Sequence, residues 1–246
     1  MDMTFDPGPP DDWRTLFEAA PLDFYVQHPA RRFRIEFAPV FYRGRLDGTA
    51  RVLIVGQDPS TDEILAQRIL VGSAGQLVQG LLRKMGIVQS YVMVNTFLFG
   101  VTGQFDTKLR TISHAPEILS YRNALLDRLK ATNALEAVLA FGVAAHDAVE
   151  HWPGHQGLSV HKLVHPTART GVTDSWNAEL TSLLQTVSPD GGAAVDAAPY
   201  ASEFGSQDLA PIPRLDLPFG LPTWHGTGGT RSTRGNTRNR ITWTAP

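Results

Sequence analysis

Three side chains that could do hydrolytic chemistry follow short apolar runs of the sequence. Asp58 comes directly after the run 51–56, while Asn95 and His165 lie near the ends of the runs 91–97 and 158–166. A carboxylate can orient a water molecule, an amide offers both a donor and an acceptor, and an imidazole can stabilise a developing anion. Taken singly, Asp58 and Asn95 are usually helix-cap or turn residues, and His165 could be a hydrogen-bonded loop histidine. Together they predict a site that activates water beside a hydrogen-bonding edge.

The apolar runs alternate with helical patterns. Strands are predicted at 51–56, 91–97, 137–142 and 158–166, and helices at 75–86, 115–132, 143–152 and 173–187. Such alternation favours a parallel sheet with helices on both faces. We therefore predict an α/β fold, a three-layer α/β/α sandwich with a central, mostly parallel four-stranded sheet. Because ligands bind beyond the carboxyl ends of such strands, Asp58, Asn95, Gly142 and His165 should meet at one edge.

Composition excludes several kinds of chemistry. The chain has 246 residues, 42% of them hydrophobic, and no cysteine. Disulfides, thiol nucleophiles, zinc–thiolate sites and cysteine-held iron–sulfur clusters are therefore excluded. No run approaches the roughly 20 apolar residues of a membrane span. The acidic N-terminal sequence lacks the features of a signal peptide, so we expect a soluble cytoplasmic protein that has no membrane partner.

Charge is distributed unevenly along the chain. The formal net charge is −2, yet residues 28–187 hold 16 basic against 13 acidic residues, and four arginines lie between 231 and 240. The arginine-containing tail could meet phosphates, or it could be only a solvated low-complexity segment. The expected organisation is one α/β domain over 1–187, with an acidic N-terminal extension. A linker and an arginine-containing C-terminal extension are expected over 188–246.

Three motifs resemble those of a known enzyme family. "GQDP" at 56–59, "MVNTFL" at 93–98 and "HPT" at 165–167 occur in the order found in the uracil-DNA glycosylase superfamily. "GQDP" is similar to the water-activating motif of the family 1 enzymes. "RILVGSAGQLVQGLLRKMGI" at 68–87 resembles the "VGxAGQLL" segment of the iron–sulfur families. The resemblance spans about residues 50–187 and so covers all four predicted strands.

The resemblance implies an activity and a role for each motif. Such enzymes flip a deoxyuridine out of DNA and hydrolyse its glycosidic bond, which initiates base-excision repair. Asp58 would orient the water, Asn95 would bind the uracil edge, and His165 would donate to the pyrimidine O2. Base-pocket residues would be Gly56, Gln57 and Leu70. Residues contacting the DNA backbone or the gap left by the base would be Pro59, Ser60, Thr61, Gly142, Pro166, Thr167 and Arg169.

Some residues depart from the family pattern. Ser60 replaces the aromatic residue with which family 1 excludes thymine, and Leu70 aligns with a base-stacking position that is aromatic in most relatives. One of three nearby phenylalanines, Phe97, Phe99 or Phe105, could supply the missing stack. Because the cluster cysteines are absent, the resemblance implies a member that uses no metal and no organic cofactor.

Two alternatives remain open at the level of sequence. Ser60 and Leu70 favour a superfamily glycosylase for another base, such as hypoxanthine, xanthine or thymine opposite guanine. The arginine-containing tail favours a DNA-binding module that grips uracil or abasic sites with little turnover. In each case the partner is DNA, with the abasic product as a second ligand, and we expect a monomer.

Overall fold

The computed structural model of the chain describes residues 5–28 and 32–221. The strands are β1 (Arg43–Gly44), β2 (Val52–Gly56), β3 (Tyr91–Asn95), β4 (Ala137–Phe141) and β5 (Ser159–Leu163). The α-helices are α1 (Asp11–Glu18), α2 (Leu22–Gln27), α3 (Thr61–Ala66), α4 (Ser73–Lys84), α5 (Thr107–Ser113), α6 (Pro116–Thr132), α7 (Val143–Glu150) and α8 (Val172–Thr186). Short 3₁₀ turns occur at Pro153–His155, Ser206–Asp208 and Arg214–Asp216. None of these helices is long and apolar enough to cross a membrane.

The sheet has the strand order β1-β3-β2-β4-β5. All pairs are parallel except β1 with β3, which is antiparallel. The predicted α/β class and mostly parallel sheet are confirmed, but the predicted number of four strands is wrong because β1 adds a fifth at the edge. With only two residues, β1 is too short to leave a periodic signal in the sequence.

Helices cover both faces of the sheet, as predicted for a three-layer sandwich. Val52 and Ile54 of β2 point to a core formed with α4 and α8. Leu53 and Val55 point to the opposite core, formed with α1, α6 and α7. The alternation follows from the two-residue period of a strand, and burial on both faces explains why the strand sequences are continuous apolar runs.

The central strand β2 lies at a topological switch point. The chain leaves β2 through α3 and α4 to reach β3, then crosses through α5 and α6 to β4 on the other side of β2. Because α4 and α6 pack on opposite faces, the two connections diverge and leave a crevice at the carboxyl end of β2. Asp58 follows that end by two residues.

Residues 188–221 pack against the domain, which differs from the linker expected from their composition. Tyr200, Ile212 and Leu217 are buried. The backbone oxygen of Asp208 lies so close to Gly80 of α4 that a Cβ at Gly80 would collide with it. The few apolar residues of this segment are spread among Ala, Gly and Pro, so they leave no periodicity to predict. Residues 222–246, which include the arginine-containing tail, lie outside the described residues.

Acidic residues in the segments 5–28 and 188–221, which flank the domain, form ion pairs with basic residues of the domain. The ion pairs are Asp6–Arg68, Asp12–Arg128, Asp190–Arg51, Asp196–Lys84 and Asp216 with both Arg43 and Arg45. These pairs place part of the negative charge of residues 5–28 and 188–221 beside positive charge of the domain. Within 5–28 and 32–221, Lys108 and Arg169 are exposed cations without an ion pair.

Candidate active site

A cavity of about 750 Å³ opens at the carboxyl edge of the sheet. Ten of the predicted site residues lie on its wall: Gly56, Gln57, Asp58, Ser60, Thr61, Leu70, Asn95, Gly142, His165 and Thr167. Pro59 and Pro166 are buried beside it and are not wall residues. Arg169 is exposed next to Ala168, which does line the cavity. The predicted residues therefore meet from five places in the chain: the carboxyl ends of β2, β3, β4 and β5, and the loop between α3 and α4.

Asp58 is held by two hydrogen bonds. The backbone N–H of Val101 donates to Oδ2 at 2.7 Å, and Nε2 of Gln57 donates to Oδ1 at 2.8 Å. Burial raises the pKa of Asp58 to about 6, although both hydrogen bonds act to lower that pKa. The carboxylate is therefore fixed in direction and more basic than an exposed aspartate, which suits a group that orients and polarises water.

The pairing of β2 with β3 extends past the strand ends and positions Asn95. The N–H of Thr96 donates to the Gly56 oxygen, and the N–H of Phe97 donates to the Gln57 oxygen, both at 2.9 Å. A Cβ at Gly56 would collide with Oδ1 of Asn95, so glycine is required for this side chain to fit. Nδ2 of Asn95 is buried and finds no acceptor in the described part of the chain. Because an unpaired buried donor is costly, Asn95 presents a polar group ready for a ligand.

His165 follows Val164, whose backbone is held by two side chains of α8. Oγ of Ser175 accepts from the Val164 N–H at 3.0 Å, and Nε1 of Trp176 donates to the Val164 oxygen at 2.9 Å. The N–H of Thr167 donates to Nδ1 of His165 at 3.3 Å. Since a backbone N–H can only donate, Nδ1 is an acceptor and the neutral ring carries its proton on Nε2. Burial lowers the pKa of His165, which favours this neutral form.

A family comparison agrees with this geometry. Residues 43–189 match the family model described as Uracil DNA glycosylase superfamily. The match begins at the first residue of β1 and includes all five strands. The chain belongs to the uracil DNA glycosylase superfamily. Membership supports a DNA glycosylase activity and DNA as the partner. No curated protein matches the chain.

Several residues that line the cavity were not predicted as site residues from the sequence. Asp62, Glu63, Gln104 and His146 also line the wall. His146 is tied to the sheet, because its Nε2 lies 3.1 Å from the Ala140 oxygen and 3.0 Å from the Leu163 oxygen. Only Glu63 had a visible signal, the spacing Ser-x-x-Glu of a helix capping box directly after "GQDP".

Glu63 is a second buried carboxyl group close to Asp58. Its side chain accepts hydrogen bonds from the backbone N–H groups of Ser60 and Leu70. Burial raises the pKa of Glu63 to about 7, the two hydrogen bonds lower it, and the nearby charge of Asp58 raises it further. The cavity therefore contains two carboxyl groups whose ionisation falls near neutral pH, a common property of catalytic sites.

Aromatic residues on the wall differ in exposure. Phe105 is partly exposed, whereas Phe141 is buried at the end of β4. The other two phenylalanines considered from sequence, Phe97 and Phe99, are buried in a cluster with Tyr25 and Phe33. Phe105 is thus the one of the three candidates that reaches the cavity.

Proposed function

We propose that this chain is a monofunctional glycosylase that removes uracil from DNA and leaves an abasic site. The main support for the proposal is that Asp58, Asn95 and His165 line the same cavity. Superfamily membership supports the class of reaction. Enzymes of this kind flip the target nucleotide into a pocket, at a cost of a few kcal/mol in lost stacking.

Asn95 is proposed to read the edge of uracil. Its unpaired Nδ2–H group would donate to the O4 oxygen of the base, and its Oδ1 would accept from N3–H. Cytosine carries an amino group at position 4, so it would place a donor against the donor of Asn95. An unpaired buried donor on each side penalises the wrong base more strongly than a missing contact would.

Asp58 and His165 are proposed to act at opposite ends of the breaking bond. The bond between C1′ of the sugar and N1 of uracil breaks with its electron pair passing to the base, and the oxygen of a water molecule bonds to C1′. Asp58 would orient that water, stabilise the positive charge on the sugar and receive the water proton. The Nε2–H of neutral His165 would donate to O2 of the uracil anion, which stabilises the leaving group without full proton transfer.

The remaining site residues are proposed to hold the nucleotide in place. Gln57, Leu70 and Gly56 would form the base pocket, and partly exposed Phe105 would supply the aromatic stack that Leu70 cannot. Ser60, Thr61, Gly142 and Thr167 would contact the DNA backbone. The unpaired cation Arg169 lies at the rim, where it could bind a phosphate or enter the gap in the duplex. Pro59 and Pro166 would shape these loops from beneath.

A second candidate function is a glycosylase for a different altered base. It is favoured by the small, exposed side chain of Ser60 and by the aliphatic Leu70, both on a wall that encloses about 750 Å³. Such a wall lacks the bulky residue with which family 1 rejects the thymine methyl group. Thymine opposite guanine, or a purine such as hypoxanthine or xanthine, would then be the substrate.

Matched oligonucleotides that differ in one base test the proposal. Each labelled duplex carries one uracil, hypoxanthine, xanthine or G·T mismatch, and alkaline cleavage reports base release while a gel shift reports binding. Release from uracil alone supports the proposed function. Release from another base supports the second candidate, and binding to all duplexes without release supports a DNA-binding module.

A further inference from the structure

We propose that Glu63 is a positioning residue, because its hydrogen bond to the Leu70 N–H holds the loop that carries Leu70 against the loop that carries Asp58. We call this hydrogen bond the latch. The inference rests on the proposed function, because it assigns Leu70 to the base pocket. Glu63 is buried, with only 4% of its surface exposed, and lies on the cavity wall. Its Oε2 accepts from the Ser60 N–H and its Oε1 accepts from the Leu70 N–H. One carboxylate thus joins the loop that carries Asp58 to the loop that carries Leu70.

Helix capping accounts for only one of these bonds. Ser60 and Glu63 form the capping box at the start of α3, in which the glutamate accepts from the N–H of the capping residue. The bond to Leu70 reaches seven residues along the chain, into the loop between α3 and α4. An ordinary capping box needs no such contact. The second oxygen is therefore used to fix the base-pocket loop.

Leu70 needs this support because its backbone is strained. Its φ angle is +53°, in the left-handed region that a branched apolar side chain rarely adopts. The carbonyl group of Leu70 packs against Gly75, where any Cβ would collide with it. The peptide is consequently held from the N–H side by Glu63 and from the carbonyl side by a helix that must have glycine at that position. Strain maintained in this way is typical of functional sites.

The latch fixes the position of the Leu70 side chain relative to Asp58 across the cavity. Ser60 lies two residues after Asp58, and Leu70 contributes to the wall of the base pocket. If the Leu70 N–H were released, the strained residue would relax and move its side chain relative to Asp58. Base affinity and the alignment of the sugar with the water would then decline together, since small displacements cost large factors in rate.

Glu63→Gln separates the latch from the cap. Glutamine keeps one acceptor oxygen for Ser60, and capping boxes accept Glu or Gln. Its Nε2 group, however, would face the Leu70 N–H, so two donors oppose each other. We expect the Leu70 amide to exchange with solvent at least tenfold faster in NMR experiments. Free uracil should bind at least tenfold more weakly, and single-turnover release should need a higher enzyme concentration for half-saturation.

Asp190→Asn is the matched control. Oδ2 of Asp190 accepts from the N–H groups of Val88 and Gln89 at 2.7 and 2.8 Å, and Oδ1 pairs with Arg51. Since Val88 and Gln89 precede β3, this carboxylate lies at the opposite edge of the sheet. The substitution makes the same change of carboxylate to carboxamide, and it should lower stability because the charge that pairs with Arg51 is lost. It should leave Leu70 exchange and uracil affinity unchanged.

The outcomes distinguish failure of the latch from failure of the proposed function. A Leu70 amide that exchanges equally slowly in Glu63→Gln and wild type overturns the latch, whatever the enzyme does. The wild type tests it without any variant, because an unprotected Leu70 amide in that protein also overturns the proposal. If the wild type releases no base from any duplex, the proposed function fails, while the exchange rates still decide whether Glu63 holds Leu70.

Discussion

The backbone N–H of Val101 donates a 2.7 Å hydrogen bond to Oδ2 of Asp58. Val101 belongs to the loop that follows β3, and Asp58 to the loop that follows β2. The bond therefore ties the proposed water-orienting group to the loop beyond Asn95. It also uses one lone pair of Oδ2 and so restricts the directions in which this carboxylate can accept a hydrogen bond from water.

The first prediction concerns the pH dependence of base release. Burial raises the pKa of Asp58 to about 6 and that of Glu63 to about 7. Both groups act as carboxylates in the proposed site, so single-turnover release should increase with pH between about 5 and 8 and then level off. Burial lowers the pKa of His165, which favours its neutral form. Rates that decrease as the pH rises from 5 to 8 would exclude Asp58 as the base.

Asp58→Asn should stabilise the fold at neutral and alkaline pH. A carboxyl group whose pKa is raised on folding binds more protons folded than unfolded, so its stability contribution declines as pH rises from about 4 through about 6. Asparagine removes this penalty, which is on the order of 1–3 kcal/mol. Thermal unfolding at pH 8 should give a higher Tm for the variant, and the gain should shrink toward pH 4. An equal or lower Tm at pH 8 would contradict the burial argument.

Phe105→Ala should weaken binding of the flipped base. Stacking of a base on an aromatic ring contributes roughly 1–3 kcal/mol, so a loss of about tenfold in kcat/KM is expected. The control is Phe219→Ala, which removes an aromatic ring that is 75% exposed and packs on Phe5. Equal kinetics of Phe105→Ala and Phe219→Ala would show that Phe105 does not touch the base.

Arg169→Ala should lower DNA affinity with little dependence on the base. Each phosphate contact contributes about 0.9 to the slope of log K against log salt for duplex DNA. Loss of this unpaired cation should therefore reduce the slope by about one. Arg128→Ala removes a cation that is already paired with Asp12 and serves as the control. A slope that changes equally in the two variants would leave Arg169 without a role in binding DNA.

The sequence predicted the layers of the fold because its longer strands are continuous apolar runs and its helices show apolar residues at one-face spacing. The apolar run before Asp58 and the helix pattern at 115–132 are examples, and the latter corresponds to α6 (Pro116–Thr132). The shared cavity of Asp58, Asn95 and His165 followed from one rule about the carboxyl ends of parallel strands. That rule needs only the order of the elements and no knowledge of the loops.

Loop conformation explains what the sequence did not reveal. The contact between Glu63 and Leu70 depends on a left-handed residue between α3 and α4, and no periodic pattern encodes such a turn. The position of Phe105 likewise depends on the conformation of the loop after β3, which no periodic pattern encodes. The packed segment 188–221 was missed because its contacts with the domain are distant in sequence, such as that between Asp216 and Arg43.

The most direct test of the proposed function is single-turnover release of uracil by the wild type and by Asp58→Asn, with DNA binding measured on the same samples by fluorescence anisotropy. We predict that the wild type releases uracil. Asp58→Asn should bind the same DNA with similar affinity and release uracil at least about 10²-fold more slowly, because it lacks the group that activates water. Uracil release by Asp58→Asn at the wild-type rate would overturn the role of Asp58, and no release of uracil by the wild type would overturn the proposed function.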